Sequence, residues 1–168
     1  GGAALPTWLS FNATTHTVSG TPLNNDVGTL NVAVQATDLS GLSATDTFVL
    51  AIQNVNDAPT VASPLANQTV PEDASFSILV PANTFADVDA GDTLTYSASL
   101  ANGSTLPTWL NFNATTRTFT GTPDDAQVGT LDLRVTATDM GNLRISDVFT
   151  LAVTNVNEAP TVVAPLAD

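Results

Sequence analysis

The chain has no cysteine and no lysine, one histidine (His16), one methionine and one tyrosine, and its only cations are Arg117, Arg134 and Arg144. Without cysteine there can be no disulfide staple, and without lysine no Lys–Asn isopeptide cross-link of the kind that stiffens some surface domains. The three arginines face 16 carboxylates, for a formal charge of -13. That balance argues against nucleic acid as a partner, because a phosphate backbone is held chiefly by clustered Lys and Arg. No apolar run approaches the ~18 residues of a membrane span, although 43% hydrophobic residues suffice for a core. A single histidine with neither Cys nor Lys also leaves no evident nucleophile–base constellation, so the chain is expected not to be an enzyme. A carboxylate pair could serve glycoside hydrolysis, but acids in a repeated spacer are better explained as ligands.

What the sequence does hold is a copy of itself. Leu5-Pro6-Thr7-Trp8-Leu9 returns 101 residues later as Leu106-Pro107-Thr108-Trp109-Leu110, and Val55-Asn56-Asp57-Ala58-Pro59 returns as Val156-Asn157-Glu158-Ala159-Pro160. Gly20/Gly121, Asp38/Asp139 and Pro64/Pro165 keep the same offset, so the copies align without insertion. A period of this length fits one β-sandwich. With Asn-x-Asn-(Asp/Glu)-Ala-Pro as the junction, the expected organisation is the C-terminal part of a repeat over residues 1–57, a complete repeat over 58–157, and the start of a third over 158–168. The partial copies lack the counterpart of residues 68–101, which should hold about two strands.

Periodicity assigns the fold class. Leu131, Leu133, Val135 and Ala137 alternate with Asp132, Arg134, Thr136 and Thr138, and Leu30, Val32, Val34 and Ala36 repeat the pattern in the first copy. Phe149, Leu151 and Val153, matched by Phe48, Leu50 and Ile52, form a second alternating strand, and Leu94, Tyr96, Ala98 and Leu100 a third. Turn residues such as Gly41, Asn102-Gly103 and Gly121-Thr122-Pro123 separate the runs, and no stretch has a helical period. The expectation is an all-β, antiparallel Greek-key sandwich in tandem repeats of 101 residues.

Oxygen ligands carry the chemistry. In Asp87-Val88-Asp89-Ala90-Gly91-Asp92, three carboxylates within six residues repel one another unless water or a cation neutralises them. An i, i+2 pair followed by a Gly turn can bring several oxygens around one hard ion at ~2.3–2.6 Å.

The stretches LPTWLSFNATTHTVSGTP (Leu5 to Pro22) and LPTWLNFNATTRTFTGTP (Leu106 to Pro123) resemble bacterial cadherin-like repeats of the dystroglycan type, related to immunoglobulin-like repeats. Such repeats occur in secreted adhesins and in some extracellular polysaccharide-degrading proteins, and the resemblance implies Ca²⁺ at the joints between repeats. Asp87 and Asp89 resemble the cadherin Asp-x-Asp pair, Asp139 the Ala-x-Asp-x-Gly ligand, and Glu72 the Pro-Glu ligand. Asn54-Val55-Asn56-Asp57 resembles the cadherin linker with its leading acid replaced by Asn. The resemblance groups Asn54, Asn56, Asp57, Asp87, Asp89 and Asp139, with Asp92 as a further candidate, at a first joint. It groups Glu72, Asn155, Asn157 and Glu158 at an incomplete second one. By this reading the first joint is the better site, with affinity at or beyond the weak ~10⁻⁴ to 10⁻³ M range.

Of the other acids, Asp26, Asp46, Asp124, Asp125, Asp132 and Asp147 read as solvated turn or strand-face charges. Trp8 and Trp109 read as core or rim packing, and the Asn-x-Ser/Thr triplets at Asn12, Asn67, Asn102 and Asn113 as chance in an Asn/Thr-rich chain. The functional expectation is a calcium-binding structural or adhesive module of a large secreted or cell-surface bacterial protein. Its partners are neighbouring repeats, other adhesin molecules or polysaccharide. The alternative is a carbohydrate-binding module of a polysaccharide-processing protein that uses Trp109 and Tyr96. Because residues 1–57 hold only later strands, the chain is expected to self-associate, with residues 160–166 of one molecule filling the vacancy in another.

Overall fold

A computed structural model describes residues 3–161, and the chain divides into two units that are treated separately. The first comprises Gly1–Asp57 with the short segment Val88–Gly91, and the second comprises Ala58–Asp87 with Asp92–Asp168. Most of the expected strand at 160–166 lies outside the described residues.

In the first unit, β1 (Leu9–Asn12) and β2 (Thr17–Gly20) form one antiparallel hairpin, and β3 (Gly28–Thr37) and β4 (Ser43–Ile52) form another. The 3₁₀ turn η1 (Asn24–Asp26) connects them. The register pairs Leu30 with Leu50 and Val32 with Phe48, so the alternating apolar residues of both strands share one face. Only Val32 of that face is fully buried, and Phe48 remains 41% exposed. A cavity of about 570 Å³ lies over the face, lined among others by Leu5, Phe11, Leu30, Val32 and Val34.

The second unit opens with β5 (Thr60–Val61), β6 (Gln68–Pro71), β7 (Phe76–Leu79), β8 (Phe85–Ala86) and β9 (Thr95–Leu100). It continues with β10 (Leu110–Asn113), β11 (Thr118–Gly121), the 3₁₀ turn η2 (Asp125–Gln127), β12 (Gly129–Thr138) and β13 (Arg144–Thr154). A sheet of order β10-β11-β7 faces one of order β6-β13-β12-β9, and β5 pairs with β8. Among the described residues, all ladders are antiparallel except β6 with β13, where the opening segment runs alongside the last strand. The all-β antiparallel reading holds for the other ladders, and this one parallel edge lies beyond it, because hydrophobic alternation reports which face a residue occupies and not the direction of its partner strand.

Leu133, Val135, Phe149 and Leu151 are all buried, as their alternation requires. Phe119 from the opposite sheet meets Phe149 edge-on at 5.7 Å, and the two sheets close on Val70, Leu110, Ala137 and Val153. Gly121 is required by close approach: a Cβ there would stand 2.6 Å from the Trp109 carbonyl oxygen. The two Asn-Ala-Thr-Thr stretches also have a structural reason. Asn113 Oδ1 accepts the N–H groups of Thr115 and Thr116 at 3.0 and 3.0 Å, and Asn12 does the same for Thr14 and Thr15.

Candidate metal centre

Among the described residues, two groups of carboxylates converge, and one lies wholly within the second unit. After β6, the Glu72 N–H donates to the Thr154 carbonyl at 3.0 Å, carrying the pairing with β13 one residue further. Asp73 then takes a left-handed conformation (φ 56) that a short polar side chain tolerates, and its N–H donates to the Pro123 carbonyl. These bonds fix Glu72 at the end of the sandwich with only 2% of its surface exposed. Its Oε1 accepts the Val156 N–H at 2.7 Å, while its buried Oε2 has no hydrogen-bond partner.

Asp125 enters from η2, whose first turn is held by a reciprocal cap. Asp124 Oδ1 accepts the Ala126 N–H at 2.9 Å, and Gln127 Oε1 accepts the Asp124 N–H at 2.9 Å. Glu158 enters from the segment after β13. Carboxylate oxygens of Glu72, Asp125 and Glu158 all lie within 4.8 Å of one another. The crowding shows in Glu158, whose carboxyl is held above its ordinary value. The largest cause is its hydrogen bond with the Asp73 side chain, followed by the negative charge of Asp125. A deeply buried carboxylate oxygen without a donor, facing two more acids, fits a hard divalent cation, which coordinates several oxygens at ~2.3–2.6 Å.

The second group belongs to the loop after β8, where oxygens of Asp87, Asp89 and Asp92 come within 4.8 Å. The loop reverses at Gly91 (φ 94). Asp92 Oδ2 is buried with no hydrogen-bond partner. Asp89 is 5% exposed; its Oδ2 accepts the Asp57 N–H at 2.7 Å and its Oδ1 accepts the Asn24 Nδ2–H at 3.3 Å. Asn24 Nδ2 also donates to Asp57 Oδ2 at 2.8 Å, and Asn56 Nδ2 to the Asp57 carbonyl at 3.3 Å.

The expected ligands are thus partly gathered. Glu72 meets Glu158, and Asp87 and Asp89 meet Asp92, whereas Asp139 falls in neither carboxylate group. Asp139 is buried, and its Oδ1 accepts the Leu143 N–H at 2.8 Å, closing the turn after β12. Asp38 closes the matching turn after β3 through Ser40 and Leu42. Asn54, Asn155 and Asn157 are exposed. Asp125, read from the sequence as a solvated turn charge, instead joins Glu72 and Glu158. The Gly-Thr-Pro-Asp-Asp stretch signals a turn, but nothing local tells that the turn faces β6. Asp26 and Asp147 are likewise engaged, accepting the N–H groups of Leu23 at 2.8 Å and Leu65 at 2.6 Å.

Trp109 and Tyr96 do not form one platform. Trp109 is half-buried, edge-on to Phe76 at 6.3 Å and pressed on Gly121. Tyr96 packs near Phe85, and the Arg117 guanidinium lies 5.6 Å from its ring centroid. They line separate shallow depressions.

The family described as "Putative Ig domain" matches residues 1–53 and again 58–154. The serine-rich adhesin for platelets of Staphylococcus aureus is 30% identical over 151 residues, covering 89% of this chain and 6% of the adhesin. The chain therefore spans a small fraction of that relative's length. Among solved structures, it resembles human mucin-like protocadherin EC1-2 with a TM-score of 0.64 at 14% identity, covering 90% of this chain and 80% of the other. Mouse cadherin-23 EC22-24 gives a TM-score of 0.62 at 19% identity, covering 89% and 50%. Among the described residues, no helix is long and apolar enough to cross a membrane.

Proposed function

The chain belongs to the "Putative Ig domain" family, and from that premise we propose that it is a calcium-binding spacer or adhesive module of a large extracellular or cell-surface protein, with Ca²⁺ stiffening the junctions between successive repeats. The observation that carries the reading is the Glu72 carboxylate. One oxygen is anchored on the Val156 N–H, the other is buried without a donor, and the carboxylate comes within 4.8 Å of oxygens of Asp125 and Glu158. Leaving a charged acceptor unsatisfied costs more than the ~1–3 kcal/mol of a neutral one, and a bound cation removes that cost. Glu72 and Asp125 sit on the body of the second unit, whereas Glu158 follows its last strand. An ion held by all three therefore fixes the direction in which the chain leaves. Without the ion, mutual repulsion of the acids loosens that exit. The Asp87, Asp89 and Asp92 group offers a second cation position in this reading.

The surface setting accords with the adhesin relative and with a composition lacking lysine and cysteine. Function as a spacer needs no catalytic group, and the packing of Trp109 and Tyr96 gives the carbohydrate-binding reading no support. The test is to titrate Ca²⁺ into chelator-stripped protein. An ion that binds only the folded state raises stability by ~1.4 kcal/mol at about tenfold excess over Kd, so the thermal midpoint climbs. Asp125→Asn combined with Glu158→Gln reduces the climb, and Asp87→Ala with Asp89→Ala removes a separate part of it. No shift at millimolar calcium defeats the proposal.

A further inference from the structure

The two copies differ at one position that decides how each acidic corner is held. Asn24 begins η1 as Asp125 begins η2, and the two align in the repeat. Likewise Asp57 aligns with Glu158. At the later corner the aligned pair is two carboxylates, drawn within 4.8 Å of each other and of Glu72. At the earlier corner an amide replaces one acid, with its Nδ2 2.8 Å from Asp57 Oδ2 and 3.3 Å from Asp89 Oδ1. Both neighbours are acceptors, so only the nitrogen of the amide fits there. The Asp57 N–H closes the arrangement by donating to Asp89 Oδ2 at 2.7 Å.

We infer that residue 24 and its counterpart 125 set the ion dependence of their corners: the Asn24 amide holds Asp57 and Asp89 together without a metal, and Asp125 makes its own corner require one. A primary amide supplies two N–H donors to acceptor-only carboxylates, and here both point at acids that would otherwise repel. A neutral donor in the place of an anionic ligand lowers the charge that draws Ca²⁺, since affinity in such sites follows the number of charged ligands. The ranking expected from the linker motifs thus inverts, and the Asp125 corner becomes the tighter one. The inference rests on the calcium reading of the Glu72, Asp125 and Glu158 group.

An exchange of the two side chains tests it on the full 168-residue chain, with calorimetric titration of Ca²⁺ after chelation. Asn24→Asp should gain one calcium equivalent per chain, Asp125→Asn should lose one, and the double variant should keep the parent's total. Asn24→Ala, which removes the donor without adding a ligand, should gain none. In chelator, the Asp57 amide proton should exchange about tenfold faster in Asn24→Ala than in the parent. If Asn24→Asp gains no calcium while Asp125→Asn loses an equivalent, the inference is overturned and the calcium reading stands. If Asp125→Asn binds calcium like the parent, the reading of the Glu72 corner fails. The inference, which rests on that reading, is then overturned with it. Unchanged Asp57 exchange in Asn24→Ala also overturns the inference.

Discussion

Replacing Glu72 with Gln should move stability in opposite directions with and without calcium. Glutamine keeps an amide oxygen for the Val156 N–H, now 2.7 Å from Glu72 Oε1. It puts an NH₂ group where Oε2 is buried without a partner, close to the oxygens of Asp125 and Glu158. In chelator the variant therefore loses a buried charge with one oxygen lacking a donor, and gains an amide donor near two acids. Relief of one unsatisfied buried group is ~1–3 kcal/mol, and each kcal/mol moves the midpoint of a domain of 60–100 residues by ~4–8 °C. Glu72→Gln should thus melt about 4–24 °C above the parent in chelator. In calcium at about 100 Kd the parent gains ~2.7 kcal/mol from the ion, while the variant, short of one anionic ligand, gains much less. Differential scanning calorimetry of both proteins in chelator and in calcium reads the crossover. A variant less stable than the parent in chelator would show Glu72 to be a structural acceptor whose charge is already compensated, and equal calcium shifts in both proteins would show that no ion uses it.

Phe149→Ala should cost ~3–5 kcal/mol by urea denaturation, because Phe149 is 3% exposed and meets Phe119 edge-on; a loss below 1 kcal/mol would contradict the packing of the two sheets. Glu158 binds its proton more tightly folded than unfolded, so it contributes stability below its ordinary range that is lost as pH rises through its raised value. In chelator the midpoint should accordingly fall with rising pH across the upper carboxylate range, and Glu158→Gln should flatten that fall; a slope unchanged in the variant assigns it to other groups. In the first unit, β3 and β4 pair only with each other among the described residues, while β12 and β13 are joined by β9 and β6. The half-covered face of Leu30, Val32, Val34 and Phe48 should therefore drive concentration-dependent association, and a monomer by light scattering at high concentration would show that this unit closes on itself.

The sequence alone determined the strands and the faces they present. The alternation through Leu131, Leu133, Val135 and Ala137 and through Phe149, Leu151 and Val153 is a local property, because a pleated strand turns every second side chain to the same side. The acids within one loop, Asp87, Asp89 and Asp92, were also legible, since neighbours in sequence must be neighbours in space. Tertiary structure decided what depends on packing between distant segments. Hydrophobic pattern is silent about strand direction, and so the parallel docking of β6 on β13 was not visible. That docking places Glu72 against Val156. The same holds for Asp125, which is a plain turn acid until η2 is laid across the end of the sandwich beside Glu72. It holds equally for Asn24, whose hydrogen bonds reach Asp57 and Asp89. Carboxylates separated by dozens of residues share a site only through the register of the sheets between them, and that register is fixed by the summed fit of the core.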